Sequence, residues 1–376
     1  MADSSNTAVL IPVDALRRLV ATVFERAGCD PEESARIGYY LTSASLTGHD
    51  SHGVIRTQRY VEWLREGRVK AGQTLTTITE NEVMAIVDGQ YGFGQTIGPQ
   101  AVQLGIDKAR QHGVSIIALR HSGHLGRIGD WAEMAAAANQ VSLHFVNVSG
   151  SLLVAPFGGV DRRMSTNPIA IGVPLPDGPP VIHDFATSVV AEGKVLVAQK
   201  GGKPIPQGSL IGPDGALGND PLLLYGEVTP DRSPNPRDGA GALRAMGEHK
   251  GSGLAFLCEM LAGALTGSGC AGTLDERSRP ICNGMLSIYL ALEFFDSDHG
   301  FAQEARQYIE FFKSSRPAEA NGEVLIPGDM ERRNRAQRER DGVPLPPDAW
   351  QSIVAAAHSV GMDDKAIEAL RTGTVS

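Results

Sequence analysis

The strongest constraint on the fold is a change in the spacing of apolar residues along the chain. About the first 70 residues and the last quarter carry apolar side chains at helical spacing, whereas the middle consists of short β-branched runs broken by glycine. This change predicts an α/β or α+β protein in which helical ends flank a sheet-rich centre. The predicted strands cover residues 83–87, 114–119, 141–148, 169–173, 181–184 and 285–290.

Local signals indicate where the helices begin and end. Asp30, Pro31 and Glu33 combine an N-cap, a proline in the first turn and an acid, so a helix should begin at residue 31 and end at Gly48. The proline-rich stretch 203–236 is predicted to be irregular. Further helices are predicted over residues 54–66, 99–111, 127–139, 250–265, 301–312, 332–340, 350–360 and 363–371.

Charge and hydropathy exclude several classes of protein. The chain has 34 Lys+Arg against 43 Asp+Glu, a net charge of −9 with no dense basic run, so neither a nucleic acid nor an anionic membrane surface is an expected partner. No apolar stretch approaches the roughly 18 residues that span a bilayer, and the N-terminus lacks the features of a signal peptide. We therefore expect a cytoplasmic globular protein.

A glycine-rich segment at residues 92–98 follows a predicted strand and precedes a predicted helix, as a dinucleotide-binding loop would. Its third glycine comes one residue late, and the next strand ends at Arg120 with no acid to bind a ribose hydroxyl. A plain turn is the better interpretation. The chain also lacks a GxxxxGK[ST] loop and a GxSxG motif, so neither a Walker NTPase nor a nucleophile-elbow hydrolase is supported.

Four of the ten histidines form two pairs with a spacing of three residues in loops rich in Gly and Ser. These pairs are His49 with His52 and His121 with His124. A single histidine in a loop is usually a surface residue. Two such pairs next to helix starts, where backbone N–H groups can bind an anion, indicate a functional site.

Other polar residues could join these histidines. His52, Arg56 and Tyr60 recur every four residues, so they share a face if one helix starts just after residue 52. Arginine suits a substrate carboxylate, although a solvated arginine is the simpler interpretation. Asp184 ends an apolar strand, where an acid can orient a histidine or cap a loop. The small residues within 248–253 suit either phosphate binding or tight helix packing.

Together these segments resemble the malate/L-lactate dehydrogenase type 2 family of NAD(P)-dependent oxidoreductases. The resemblance implies a non-Rossmann nucleotide-binding domain with a largely antiparallel sheet, and a homodimer. We expect a helical domain from residues 1–80 with 335–376, and a sheet region over 81–334 that binds cofactor and substrate. The matching segments, in family order, are 48–54 with Arg56 and Tyr60, 124–129, 155–159, 165–168, 184–188, 193–194, 249–251 and 326–328.

The resemblance also implies roles for individual residues, with no metal among them. Ser252 and residues 149–152 depart from the family pattern. Catalysis and substrate binding are expected of His52, His124 and Asp184 and of Ser51, Arg56, Tyr60 and Thr166. Cofactor contacts are expected of His52, Gly126, Arg127, Ile128, Ile182, His183, Asp184, Phe185, Ala186, His249, Lys250, Asn283, Gly328, Asp329, Met330 and Glu331.

The resulting hypothesis is hydride transfer between a nicotinamide and C2 of a small 2-oxo or 2-hydroxy acid. Arg56 would bind the substrate carboxylate, and either His52 or His124 would exchange a proton with the substrate oxygen, because an unperturbed histidine has a pKa of about 6.5. Asp184 would orient one of these imidazoles.

Several points stay open. NAD is favoured over NADP, although Arg127 or Arg120 could bind a 2′-phosphate. The substrate side chain is undetermined, and reduction of a cyclic imino acid is the alternative within the family. From another class, a metal-dependent hydrolase could use the two histidine pairs with Asp50 or Asp184.

Overall fold

A computed structural model of the chain describes residues 8–199, 203–227, 235–273 and 281–373. The strands are β1 (Val9–Ile11), β2 (Thr76–Glu80), β3 (Met84–Asp88), β4 (Val114–Ser122), β5 (Gln140–Ser149), β6 (Val154–Ala155), β7 (Ile169–Leu175), β8 (Gly178–Phe185), β9 (Leu210–Ile211), β10 (Leu217–Gly218), β11 (Ala242–Arg244), β12 (Cys282–Ala291) and β13 (Val343–Leu345). The helices are α1 (Val13–Ala27), α2 (Pro31–Leu46), α3 (Thr57–Arg65), α4 (Gly94–His112), α5 (Gly129–Ala137), α6 (Glu192–Gln199), α7 (Leu222–Tyr225), α8 (His249–Cys258), α9 (Leu292–Phe295), α10 (Phe301–Lys313), α11 (Asp329–Asp341), α12 (Pro347–Ser359) and α13 (Asp364–Thr372).

A mixed sheet of seven strands forms the centre of the molecule, in the order β2-β3-β4-β12-β5-β7-β8. All neighbouring strands in it are antiparallel except β3 and β4, which α4 connects as a parallel pair. Each of the six predicted strands lies in this sheet. The expectation of a mixed α/β fold with a largely antiparallel sheet is therefore confirmed.

Helices α4 and α5 cover one face of this sheet and supply its core. Trp131 of α5 and Tyr289 of β12 are fully buried there. Gly105 of α4 lets the helix approach the sheet, because a Cβ at this position would lie 2.2 Å from the ring of Tyr289. This packing fixes the end of β4 and the start of α5, between which several predicted site residues lie.

The N- and C-terminal segments form a helical layer with a second core. Helices α1, α2, α3, α12 and α13 contact one another, and β1 pairs antiparallel with β13. Leu16, Phe24 and Ile353 are fully buried in this core. The two chain ends pack together in this layer, and the division into domains stays a prediction.

A smaller sheet, in the order β10-β9-β11-β6, has its own core together with α6 and α7. Part of the stretch predicted to be irregular contributes β9, β10 and α7 to it, so that prediction is wrong for these short elements. Residues 228–234 of the stretch lie outside the described residues. In the described ranges no helix combines the length and the apolar character needed to cross a membrane.

Two predicted helices are interrupted. The helix predicted over 54–66 is present as α3 from residue 57 to residue 65, and its first three residues form a 3₁₀ turn, Val54–Arg56, which follows another 3₁₀ turn, Asp50–His52. The helix predicted over 250–265 continues from α8 as a π-helix, Glu259–Ala264. The Glu259 carboxylate accepts hydrogen bonds from the Asn147 and Asn167 side chains, which anchors this wider turn to the sheet.

Candidate active site

Two of the predicted catalytic histidines lie face to face. The imidazole of His52, at the end of the first 3₁₀ turn, stacks on that of His124, in the loop after β4, with ring centroids 5.5 Å apart and planes 10° apart. The two loops come from the helical layer and from the central sheet. The site therefore forms where these two parts of the molecule meet.

Tyr60 and Gln95 hold His124 in place. The Tyr60 hydroxyl lies 2.6 Å from Nδ1 of His124, and the Gln95 amide donates to the Tyr60 hydroxyl at 3.4 Å and to the His124 carbonyl at 3.3 Å. Gln95 is almost fully buried in the first turn of α4. Gln95 was not predicted from the sequence, since a lone glutamine in a glycine-rich turn carries no signal for catalysis.

His52 and Arg56 lie in two separate 3₁₀ turns and Tyr60 lies in α3, so the prediction that the three residues share one face of a single helix is wrong. Gly53 has an extended backbone that separates the two 3₁₀ turns. A Cβ on Gly53 would lie 2.1 Å from the Ser45 hydroxyl, which also accepts a hydrogen bond from the Val54 amide. Tight packing against α2 therefore replaces the predicted regular turn.

The guanidinium group of Arg56 lies at the same place. Its Nε donates to the Ser51 carbonyl at 2.6 Å, and its Nη2 lies 3.9 Å from a carboxylate oxygen of Glu192. The Ser51 hydroxyl lies 3.1 Å from Nδ1 of His52. Arg56 is thus held through Nε, and its terminal nitrogens are directed towards the site.

Burial sets the electrostatics of the two histidines. It lowers the pKa of His52 well below its usual value, and neighbouring His124 and Arg56 lower it further. Burial and then Arg56 lower the pKa of His124 to about 3. Burial also raises the pKa of Tyr60 to about 12. Both imidazoles and the phenol are therefore neutral at pH 7.

Asp184 does not orient either imidazole, so that expectation is wrong. Its carboxylate accepts a hydrogen bond from the Gly129 amide at 2.8 Å and lies 4.0 Å from Nε of Arg127. Among the described residues, Nδ1 of His124 is bonded to Tyr60 and Nδ1 of His52 to Ser51. The acid instead ties the end of β8 to the start of α5.

Arg127 is buried, and its guanidinium group forms ion pairs with acidic side chains of the protein. One of its Nη atoms donates to Asp130 at 2.9 Å and to Glu133 at 2.8 Å. Burial, opposed by Arg127, raises the pKa of Asp130 to about 6. Arg120 donates to Asp88 at 2.9 Å. Arg127 is buried with its guanidinium group paired to two acids, so the suggestion that it binds a 2′-phosphate is not supported, whereas for Arg120, which is bonded to Asp88 only through Nε, the suggestion stays a prediction.

Several predicted cofactor residues do lie together beside this site. Gly328, with φ of 94°, precedes α11, and a Cβ there would lie 3.4 Å from the backbone nitrogen of Ile182. The exposed ring of His183 stacks on Phe185 with centroids 4.4 Å apart. Glu331 lies 3.3 Å from His49. This open strip with an aromatic surface and a tight backbone approach fits a dinucleotide.

Other predicted contacts have structural partners. The Asn283 amide accepts from Leu125 N at 2.8 Å and donates to the Asn147 carbonyl at 2.9 Å, so it supports the loop that carries His124. The Thr166 carbonyl accepts from the Thr187 amide, just after Ala186. Their contacts with ligands stay predictions, as do those of Gly126, Ile128, Asp329 and the exposed Met330.

His249 and Lys250 begin α8 and are exposed. The His249 ring lies 5.9 Å from that of Phe157. The Met246 amide, shortly before α8, donates to the Thr187 carbonyl and so connects this helix start to the end of β8. Within the residues that the structure describes, no group of three His, Cys, Asp or Glu side chains is arranged to hold a metal ion, so the geometry gives a metal-dependent hydrolase no support.

Comparison with known proteins agrees with this geometry. A model of the malate/L-lactate dehydrogenase family matches residues 11–354. The chain belongs to this family. Membership in the malate/L-lactate dehydrogenase family confirms the resemblance inferred from the sequence and the expectation of an oxidoreductase.

Individual members of the malate/L-lactate dehydrogenase family align with almost the whole chain. Hydroxycarboxylate dehydrogenase B of Escherichia coli K12 is 37% identical over 356 residues, 94% of this chain and 95% of that protein. A solved Escherichia coli structure, provisionally named malate/lactate dehydrogenase, has a TM-score of 0.88 and 35% identity, with coverage of 98% and 100%. The Pseudomonas syringae delta1-piperideine-2-carboxylate reductase structure has a TM-score of 0.77 and 28% identity, with coverage of 93% and 100%.

Proposed function

We propose that this protein is a nicotinamide-dependent 2-hydroxy acid dehydrogenase that converts a small 2-hydroxy acid and its 2-oxo form into one another. The observation that carries the proposal is the grouping of Arg56 with the stacked His52 and His124, the latter bonded to Tyr60 at 2.6 Å. This group offers an anion-binding side chain beside a neutral acid–base pair. Family membership and the named relatives support the same reaction class.

Arg56 would bind the substrate carboxylate. Its Nε is taken by the Ser51 carbonyl, so the two terminal nitrogens are the edge that can donate two parallel hydrogen bonds to a carboxylate. The Ser51 hydroxyl, 3.1 Å from Nδ1 of His52, would help to orient the acid. Such a clamp fixes C2 relative to the imidazoles, which is the main contribution of a protein whose cofactor carries the reactive hydride.

His124 would exchange the proton with the substrate oxygen through Nε2. The Tyr60 hydroxyl can donate to Nδ1 of His124 or accept from it, so the ring can present Nε2 either with or without a proton. The Gln95 amide favours the first arrangement, because it donates to the Tyr60 oxygen. His52 would pack on the face of His124 and keep the ring in place.

The low pKa of His124 predicts how the two directions of the reaction depend on pH. A neutral imidazole can accept the hydroxyl proton of a 2-hydroxy acid at Nε2 once its own proton lies on Nδ1 and is donated to Tyr60. Reduction of a 2-oxo acid instead starts from the imidazolium, which is neutral after it donates from Nε2. A bound substrate carboxylate would offset the charge of Arg56 that lowers the pKa of His124. We therefore expect kcat/KM for reduction to rise as the pH falls.

The cofactor would be held by the strip formed by Ile182, His183, Phe185, Gly328 and Glu331. A nicotinamide, when bound, accepts or supplies the hydride. NAD is favoured over NADP, since a carboxylate such as Glu331 can accept from ribose hydroxyls and would repel a 2′-phosphate. The remaining predicted contacts, including His249 and Lys250, belong to the same proposal.

We also propose a homodimer located in the cytoplasm. The last turn of α8 exposes Phe256 and Leu257, and Leu265 is exposed just after the π-helix that follows; Phe256 is 58% and Leu265 62% exposed. Exposed apolar groups of this size on one helix are typical of a surface that another chain covers. Size-exclusion chromatography with light scattering tests this part of the proposal.

A panel of 2-oxo acids with NADH and with NADPH, followed through the nicotinamide absorbance, tests the function. We expect NADH-dependent reduction of at least one acid, and the reverse oxidation of its 2-hydroxy product. No turnover of any acid or cyclic imine with either cofactor would contradict the proposal. Turnover of a cyclic imine alone would favour the alternative, reduction of a cyclic imino acid, which the similarity to the piperideine-2-carboxylate reductase structure supports.

A further inference from the structure

We infer that Glu192 selects substrates by charge, so that the enzyme prefers 2-oxo acids with a single negative charge over those with a second carboxylate. This inference rests on the proposed function, because it assumes that Arg56 binds the carboxylate next to C2. It adds a residue for which no role was expected from the sequence.

Glu192 is the first residue of α6, and packing holds this helix start against the active-site loop. A Cβ on the next residue, Gly193, would lie 2.6 Å from the Cβ of Ser51. The helix can approach the loop this closely only because Gly193 has no side chain. The carboxylate of Glu192 is therefore brought close to the loop that carries Arg56.

The two carboxylate oxygens of Glu192 have different neighbours. Oε2 lies 3.9 Å from Nη2 of Arg56, whereas Oε1 accepts a hydrogen bond of 2.5 Å from the hydroxyl of Tyr225. Tyr225 is almost fully buried in the core of the smaller sheet. Burial and then Glu192 raise the pKa of Tyr225, so the phenol stays protonated and keeps donating. Tyr225 thus fixes the carboxylate beside Arg56.

The balance of charge around the site follows from this pair. Glu192 offsets Arg56, and a substrate carboxylate on Arg56 then leaves the group with one net negative charge. The two imidazoles are neutral at pH 7 and add no cation. Three basic side chains of the neighbouring segments are already paired with acids: His49 with Glu331, Arg338 with Asp50, and Arg127 with Asp130 and Glu133. Lys194, two residues after Glu192 on α6, is exposed to solvent.

A second carboxylate on the substrate would therefore enter a half-buried site beside Glu192 without a buried cation of its own, since Lys194 is exposed and an exposed ammonium group pairs only weakly. Charges of the same sign close together in such a site repel strongly, and the loss of hydration adds to the cost. An apolar substrate side chain meets neither penalty. A side chain that donates hydrogen bonds could even bond to Glu192. We expect 2-oxo acids with neutral side chains to be the preferred substrates.

The test compares two acids of equal length, 2-oxopentanoate with one carboxylate and 2-oxoglutarate with two. The full-length wild-type protein should show the higher kcat/KM for 2-oxopentanoate. Glu192→Gln keeps the shape and an acceptor for Tyr225 but removes the charge. It should lower the preference for 2-oxopentanoate by about 10-fold, a change of roughly 1.4 kcal/mol, mainly through KM for 2-oxoglutarate.

Two further variants serve as controls for the removal of the Glu192 charge. Glu62→Gln removes the same charge from an exposed pair with Arg59 on α3 and should leave the ratio unchanged. Tyr225→Phe frees the Glu192 carboxylate without removing its charge and should lower the ratio less than Glu192→Gln does. Thermal melting of each variant checks that the fold is intact.

The outcomes separate this inference from the proposed function. If the wild type prefers 2-oxoglutarate, or if Glu192→Gln reduces the two acids with an unchanged ratio, the inference is wrong while the dehydrogenase stands. A preference for 2-oxoglutarate would indicate that another cation, such as the exposed Lys194 of α6, meets the second carboxylate. If no 2-oxo acid is reduced by any of the proteins, the proposed function fails and the inference fails with it.

Discussion

Two clusters near the end of β4 contain the same kinds of residue but differ in how their charges are paired. The active-site cluster has Tyr60, His124, Arg56 and Glu192, and the second cluster has Tyr91, His121, Arg120 and Asp88. In the second, Asp88 lies 2.9 Å from Nε of Arg120 and 3.0 Å from Nδ1 of His121, whose ring stacks on Tyr91. In the first, the acid lies 3.9 Å from Arg56 and contacts neither imidazole.

This difference separates a site from a structural cluster. Asp88 satisfies its arginine and its histidine directly, so the second cluster has its principal charged groups paired internally. In the first cluster, burial keeps His124 neutral and Arg56 can still accept an anion on its terminal nitrogens. Two histidines three residues apart therefore serve different purposes. Residue types and spacing identify both clusters as candidate sites. The position of the acidic residue then distinguishes the active-site cluster from the structural one.

The largest difference between the two clusters should appear in kcat when the histidine of each cluster, His124 or His121, is replaced. His124→Gln removes the proposed acid–base group, so kcat should fall by about 10² to 10⁴, the usual effect of a positioned acid or base. His121→Gln should change kcat by less than about 3-fold, since the His121 imidazole is bonded to Asp88 and belongs to the second cluster. Steady-state kinetics in both directions measure both effects. Equal losses of kcat in the two variants would contradict the assignment of separate roles.

The two arginines should differ next most. Arg56→Ala removes a charged hydrogen-bond donor, so KM for the acid should rise by about 10- to 100-fold, with the affinity for NADH retained. Arg120→Ala is the matched control and should leave KM for the acid unchanged while it destabilises the fold, because it leaves Asp88 with one partner fewer. NADH titration by fluorescence separates the sites. A lost NADH affinity with an unchanged KM would move Arg56 to the cofactor site.

Those features of the fold and of the two clusters that depend on local sequence patterns could be predicted from the sequence. The six strands of the central sheet follow from β-branched runs, and the Asp30 N-cap of α2 is present as expected, with its side chain bonded to Glu33 N. The family motifs also named His52, Arg56, Tyr60 and His124, which do come together.

The remainder depends on contacts between distant segments, which a single sequence does not encode locally. Asp184 bonds to Gly129 instead of a histidine, and Arg127 turns inwards to Asp130, because packing between β8 and α5 decides both. Gln95 and Glu192 had no motif to reveal them. The short strand pair β1 and β13 joins the two ends of the chain, and such a pairing has no signal in either segment alone.

The two tyrosines should show a smaller contrast. Tyr60→Phe removes the hydroxyl that adjusts the proton on Nδ1 of His124, so kcat should fall by about 3- to 30-fold, in line with one or two hydrogen bonds. The pH at which the rate changes should shift as well, which a loss of stability alone would not cause. Tyr91→Phe keeps the ring stacked on His121 and should alter neither kcat nor the pH profile. An unchanged pH profile in Tyr60→Phe would remove Tyr60 from the proton exchange.

The smallest effect should appear in the pH dependence of stability. The pKa of His124 is lowered to about 3 in the folded protein but is about 6.5 when the chain is unfolded, so between these values the unfolded chain binds the additional proton. Stability should therefore fall as the pH drops below about 6.5, by up to roughly 1.4 kcal/mol per pH unit for this group.

Asp88 loses its contribution in a different pH range. Burial opposes the shift, but hydrogen bonds from the Gln90 amide, His121 and Arg120 lower the pKa of Asp88, so its stabilisation is complete above its unfolded pKa of about 3.9 and is lost only at lower pH. Urea unfolding at pH 5.0 and 6.5 should thus show a weaker pH dependence for His124→Gln than for the wild type. Asp88→Asn should keep the wild-type dependence in this range, even though it lowers stability at both pH values. The opposite pattern would mean that the active-site imidazole is protonated in the free protein, and the contrast between the two clusters would then be wrong.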